Sequence, residues 1–151
     1  MSLAERINED MKQAMRARDQ RKLEALRAIK AGLLLIKTGK DVGSGEIPEE
    51  VEIQLLQKLV KQRRESAEIY KTQARTDLLE EELYQAGVIE AYLPAQLSDE
   101  DLKEGLAAII ARTGASTVAD MGKVMAAATA EFAGKADNKR IAGLVRQLLG
   151  A

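Results

Sequence analysis

Neither cysteine nor histidine occurs in the 151-residue sequence. Their absence excludes a disulfide framework, a thiolate nucleophile and a cysteine-ligated metal. It equally excludes zinc-hydrolase motifs and histidine-based catalytic triads. Aromatic residues make up only 3%, namely Tyr70, Tyr84, Tyr92 and Phe132. That is poor for a β-sandwich and typical of helices packed through Leu, Ile and Ala. Proline is scarce as well, with Pro48 and Pro94 alone. No stretch approaches the roughly 18 apolar residues of a membrane span. The opening Met1-Ser2-Leu3-Ala4-Glu5-Arg6 lacks the apolar core of a signal peptide. The expectation is a cytoplasmic helical protein without membrane, metal or cofactor.

What the sequence does hold is enough apolar material for a core: 46% hydrophobic residues against 31% charged, with a formal net charge of -1. Ser2 with Glu5 forms a capping box that opens a first helix, followed by Leu3, Ile7, Met11 and Ala14 at helical spacing. Asp19 caps a second, in which Leu23, Leu26, Ile29, Leu33 and Ile36, together with Leu34, span nearly half the circumference. A helix wet on only one side belongs in the middle of a bundle. Gly39 to Ile47 is the one glycine-rich loop. Pro48 then suits the first turn of a third helix reaching about Ala74, with Glu49, Glu50 and Glu52 at its positive end. Its inner stripe is Leu56, Leu59, Val60, Ala67 and Tyr70. A fourth helix runs from about Asp77 to Leu93.

Pro94-Ala95-Gln96-Leu97 is the best domain boundary. Three shorter helices follow. Ser98 with Asp101 caps one ending at Gly114, Thr117 with Asp120 caps the next, ending at Gly134, and Asp137 caps the last. No period-two pattern competes. The expected fold is all-α, a four-helix block over residues 1–94 and a three-helix tail over 97–151.

Charge is segregated along the chain. Between Lys12 and Lys37, eight basic residues face Asp19 and Glu24; between Lys58 and Arg75, six face Glu65 and Glu68. Such runs are either a phosphate-binding surface or ordinary solvated helix faces. Arg63 is more specific, because it falls at the centre of the third helix's apolar stripe. A cation there must snorkel, pair or hold an anion. Glu82 and Glu90 on the fourth helix, with Arg27 and Lys30 on the second, make either a structural ion-pair cluster or an anion pocket. From Lys135 onward in the tail, Lys135, Lys139, Arg140 and Arg146 face Asp137 alone. Open amides at a helix N-terminus among cations suit phosphate. Asp137 competes for those amides as a cap, so a plain interhelical turn is the other reading.

Several linked segments resemble the YqeY family: Ile7-Asn8-Glu9-Asp10-Met11-Lys12, Leu26-Arg27-Ala28-Ile29-Lys30-Ala31 and Lys61-Gln62-Arg63-Arg64-Glu65-Ser66. Tyr92-Leu93-Pro94-Ala95-Gln96-Leu97-Ser98, Asp120-Met121-Gly122-Lys123-Val124-Met125 and Gly134-Lys135-Ala136-Asp137 extend the likeness over nearly the whole chain. From about Leu97 the tail also resembles the C-terminal domain of the GatB subunit of the glutamine-dependent aminoacyl-tRNA amidotransferase. The resemblance implies an all-helical two-domain fold and a tRNA-related role. Gly134, Lys135 and Ala136 match the GatB turn, whereas Asp137 stands where that tail usually has asparagine.

Three functions follow in order. The first is a non-catalytic accessory protein for tRNA or another structured RNA, contacting phosphate through Lys123, Lys135, Lys139, Arg140 and Arg146. With four scattered aromatics, base stacking is not its mode. The second is a helical adaptor whose four-helix block docks a protein partner, favoured if apolar positions are left exposed. The distant third is part of a carbon–nitrogen ligase with glutamine as amide donor. No nucleophile or phosphate-binding loop for that chemistry is present, since Gly39-Lys40 and Gly122-Lys123 lack P-loop spacing and Ser66, Ser98 and Ser116 lack a serine-amidase context. Any such activity requires partner subunits.

Overall fold

A computed structural model describes residues 1–39 and 46–150. The glycine-rich stretch expected over Gly39–Ile47 therefore falls largely outside the described residues. Among those described, all regular structure is helical: α1 (Leu3–Arg16), α2 (Gln20–Thr38), α3 (Glu49–Thr72), α4 (Thr76–Glu90), α5 (Asp99–Thr113), α6 (Met121–Glu131) and α7 (Asn138–Leu148). The chain separates into two compact units, Met1–Leu93 and Pro94–Ala151.

Helix starts follow the side chains expected to satisfy their orphan amides. Ser2 and Glu5 complete a reciprocal capping box at 3.2 Å in each direction. Asp19 accepts from the Lys22 amide at 3.1 Å, and Ser98 from the Asp101 amide at 3.2 Å. Two boundaries differ from the sequence reading. Pro48 is the residue before α3, in extended backbone, and leaves the first helical place to Glu49. Thr117 and Asp120 bracket a single 3-10 turn, Val118–Asp120, from which α6 then departs.

The first unit is two helical hairpins with the same turn. Arg18 and Ala74 occupy matching positions with φ of 56° and 55°. The Asp19 amide donates back to the Ala14 carbonyl and the Arg75 amide to the Tyr70 carbonyl, both at 2.9 Å. Each is a Schellman stop, built here without the glycine that the left-handed position favours. That position ends α3 at Thr72, short of the expected Ala74.

Helix α2 packs against α1, α3 and α4. Leu23, Ala25, Leu26, Ile29 and Leu33 are its buried residues. Leu34, counted with the apolar face in the sequence, instead lies 61% exposed. The small Ala25, on the opposite side of the helix, is buried. Gly32 lets α3 approach closely, for a Cβ there would meet a Leu55 methyl at 2.7 Å. From α3 come Leu56, Val60 and Ala67, and from α4 Ala86 and Ile89. Beyond α4, the Tyr92 hydroxyl donates to the Asp10 carboxylate, tying the end of this unit to α1. The Arg6 guanidinium lies 5.2 Å from the Tyr92 ring centre.

In the second unit α5, α6 and α7 pack pairwise. Leu102, Leu106, Ile109, Val124, Ala128, Ile141 and Val145 are fully buried there. Gly105 accommodates the Phe132 ring, which a Cβ would meet at 2.6 Å.

Two expectations follow. Ala74→Gly relieves the left-handed strain and raises the unfolding free energy by about 0.5–1 kcal/mol, measured by urea denaturation. Burial, then the Asp10 hydrogen bond and charge, push the Tyr92 phenol upward from its ordinary value, against a smaller opposing effect of Arg6. Its contribution is thus complete below about pH 10 and is lost as pH rises through the folded value. Tyr92→Phe should cost about 1–2 kcal/mol at neutral pH and flatten the fall in stability above about pH 10.

Candidate nucleic-acid interface

The turn between α6 and α7 is built from Gly134, the one residue there with positive φ, at 76°. Its carbonyls are spoken for. Gln96 donates through Nε2 to the Gly134 carbonyl at 2.7 Å, and the Leu97 amide donates to the Lys135 carbonyl at 2.9 Å. Asp137 then caps α7, accepting from the Lys139 amide at 2.7 Å through Oδ1. One of the amides that a phosphate would use is therefore taken by a carboxylate of the chain itself.

The five tail cations do not share one fate. Lys123, Lys135, Lys139 and Arg146 are exposed. Arg140 is turned inward: its Nε donates to Asp99 Oδ1 at 2.6 Å, and its Nη2 to the Leu97 carbonyl. It fastens the start of α5 to α7, so its charge is spent on the fold. Lys139 and Arg146, seven residues apart, lie about 20° apart around α7 and about 10 Å apart along it. Gly143 sits between them, exposed, and a methyl group in place of its hydrogen would meet no atom within 4 Å. Lys123 stands at the start of α6 near Asp120. The Asp120 carboxyl is held below its usual range by the Ser116 and Thr117 amides, with a lesser pull from Lys123.

The cluster around Arg63 takes a form the sequence did not offer. Arg63 is half-buried and donates from Nε to Gln85 Oε1 at 3.3 Å and from Nη1 to the Leu59 carbonyl at 3.2 Å. Glu90 goes to its neighbour Arg64 instead. Arg27 and Lys30 are exposed on α2, and Glu82 is half-buried on α4. Neutral acceptors thus satisfy Arg63 without a buried ion pair, because Gln85 lies on the α4 face that α3 meets while Arg64 is turned outward enough to reach Glu90.

A second arrangement had no signal in the sequence, since its partners lie 60 and more residues apart. Arg21 lies 4.1 Å from the Tyr84 ring centre and pairs with Glu81 at 3.0 Å. Tyr84 and Tyr92, with Leu83, Gly87, Arg6 and Lys22, line an open hollow of about 780 Å³ in the first unit. Asp10 and Asp19 are on its wall as well. Their oxygens already serve Tyr92 and the α2 cap, leaving the hollow no convergent set of groups for chemistry.

Among the described residues, no three His, Cys, Asp or Glu side chains are grouped to hold a metal ion. No helix there is long and apolar enough to cross a membrane. The family model described as Yqey-like protein matches residues 4–149. No curated protein matches the chain.

The inward and outward cations should separate on substitution. Arg140→Ala removes two anchoring bonds and lowers the stability of the second unit by about 1–2 kcal/mol. Lys139→Ala stays within about 0.5 kcal/mol. Thermal unfolding of the two full-length variants measures both.

Proposed function

We propose, for a chain that belongs to the Yqey-like family, that it is a non-catalytic RNA-binding accessory protein acting on tRNA or a similarly structured RNA in the cytoplasm. The observation that carries this reading is the exposed set Lys135, Lys139 and Arg146 at and along α7. The likeness of the tail to the tRNA-contacting domain of the GatB subunit points the same way.

The physical content is phosphate contact without base reading. Lysine and arginine on a rigid helix neutralise backbone charge and release counterions. Gly143 keeps the ground between Lys139 and Arg146 low, so a backbone approaches the helix without displacing a side chain. Because the second unit carries seven basic and seven acidic residues, attraction depends on where the charges lie and not on their sum. The acids Asp99, Glu100, Asp101 and Glu104 gather at the start of α5. Lys135, Lys139 and Arg146 lie instead on the α6–α7 turn and on α7.

Fluorescence anisotropy with total tRNA and an unrelated RNA duplex, across a salt series, tests the reading on the full-length chain. Binding should favour tRNA, weaken steeply with salt and be only weakly sequence-selective. Lys135→Ala with Lys139→Ala should reduce the slope of log affinity against log salt by about 2. Equal affinity for both RNAs, or no binding near physiological salt, would sink the proposal.

A further inference from the structure

Helix α2 is the most deeply packed helix of the first unit, yet its outer side keeps two large apolar residues in water. Leu34 is 61% exposed and Leu35 74%. Neither belongs to the buried set of α2, which is Leu23, Ala25, Leu26, Ile29 and Leu33. Arg27, Lys30, Leu34 and Lys37 recur at i, i+3, i+7 and i+10, which aligns them along one face of the helix. Leu35 borders that face, and Ala31 and Thr38 complete it. All of these residues are exposed. Only Glu24, at the N-terminal end of the stripe, adds a negative charge to it.

We infer that this face of α2 is a docking surface for a short acidic, leucine-rich helical segment of another protein. The inference stands apart from the RNA reading, since it uses neither the second unit nor its cations. Charge decides the occupant. A second copy meeting this face across a two-fold axis would set Arg27, Lys30 and Lys37 against themselves, because such an interface uses one patch twice. Nucleic acid would satisfy the cations but offers the leucines no apolar partner. A membrane is a poor match, for the opposite side of α2 is locked in the bundle and two leucines bury too little to hold a domain at a bilayer. An amphipathic helix with carboxylates flanking apolar anchors satisfies both features together. Two leucines and three aliphatic stems make a small contact, below the size of a stable complex, so the association is transient.

The test uses full-length protein treated with nuclease and a phage-displayed library of random 16-residue peptides. Selected peptides should be enriched in Asp or Glu together with Leu or Ile at helical spacing. The best of them, synthesised, should lose at least tenfold in affinity for Leu34→Ser/Leu35→Ser and a similar factor for Arg27→Glu/Lys30→Glu. Circular dichroism controls for folding. Because the leucines are exposed, the first variant should retain its helix content, and the charge reversal stands in for it if it does not. Peptides lacking acids, or binding both variants like the parent chain, would overturn the inference. So would displacement of the peptide by total tRNA, Leu34-dependent binding to phosphatidylserine vesicles, or Leu34-dependent self-association in sedimentation.

Discussion

Everything in the first unit depends on one helix being surrounded. Helix α2 touches α1, α3 and α4, and it can do so only because its inner face alternates bulk with relief. Leu26 and Ile29 fill the space between helices, while Gly32 gives way where Leu55 of α3 comes close. At Gly32 the Leu55 side chain fills the place a Cβ would claim. A side chain added at Gly32 would have to displace Leu55, so this position favours the smallest residue where α3 comes close. The outward leucines are a by-product of the same constraint, since a face committed to the core leaves the remaining positions free to serve something else.

Electrostatics in this chain is mostly housekeeping at helix ends, and that division sorts its cations. Arg140 is consumed by Asp99 and the Leu97 carbonyl, Arg64 by Glu90, Arg21 by Glu81 and the Tyr84 ring. Exposed ion pairs of this kind add little to stability one by one. Their greater effect is geometric, for they hold long side chains down against the helices they join. The same logic explains Glu52, whose carboxyl is raised by partial burial first and then by Glu49 and Glu46. Acids gathered at the start of α3 complement the helix end but repel one another.

Much of this was legible in the sequence where the signal is local. The caps Ser2, Asp19, Ser98 and Asp137 each need only a residue three places or fewer away, and each was readable. The stripe Leu56, Val60 and Ala67 was readable because periodicity reports a helix face directly. Angular reasoning failed where the answer lies on another helix. It gave Leu34 to the core, since a wheel measures apolar breadth but does not say how much of it the neighbours will cover. It offered Glu82 and Glu90 to Arg63, whereas the meeting of α3 with α4 brings up Gln85, a residue with no charge to draw notice. For the tail, the sequence grouped Arg140 with Lys139; only the approach of α5 reveals that one faces in and the other out. The bond between Tyr92 and Asp10 had no sequence signal at all.

The hold of Gln96, Leu97 and Asp99 on residues 134, 135 and 140 has a consequence for how the chain is made. These bonds join the beginning of the second unit to its end, with about forty residues between the partners. Closing so long a loop comes late in folding, because its entropy is spent before its contacts return anything. During synthesis the earlier segment emerges long before the later one. The α6–α7 turn therefore acquires its final shape only once the segment around Gln96 and Asp99 and the segment around Lys135 and Arg140 are both free to meet.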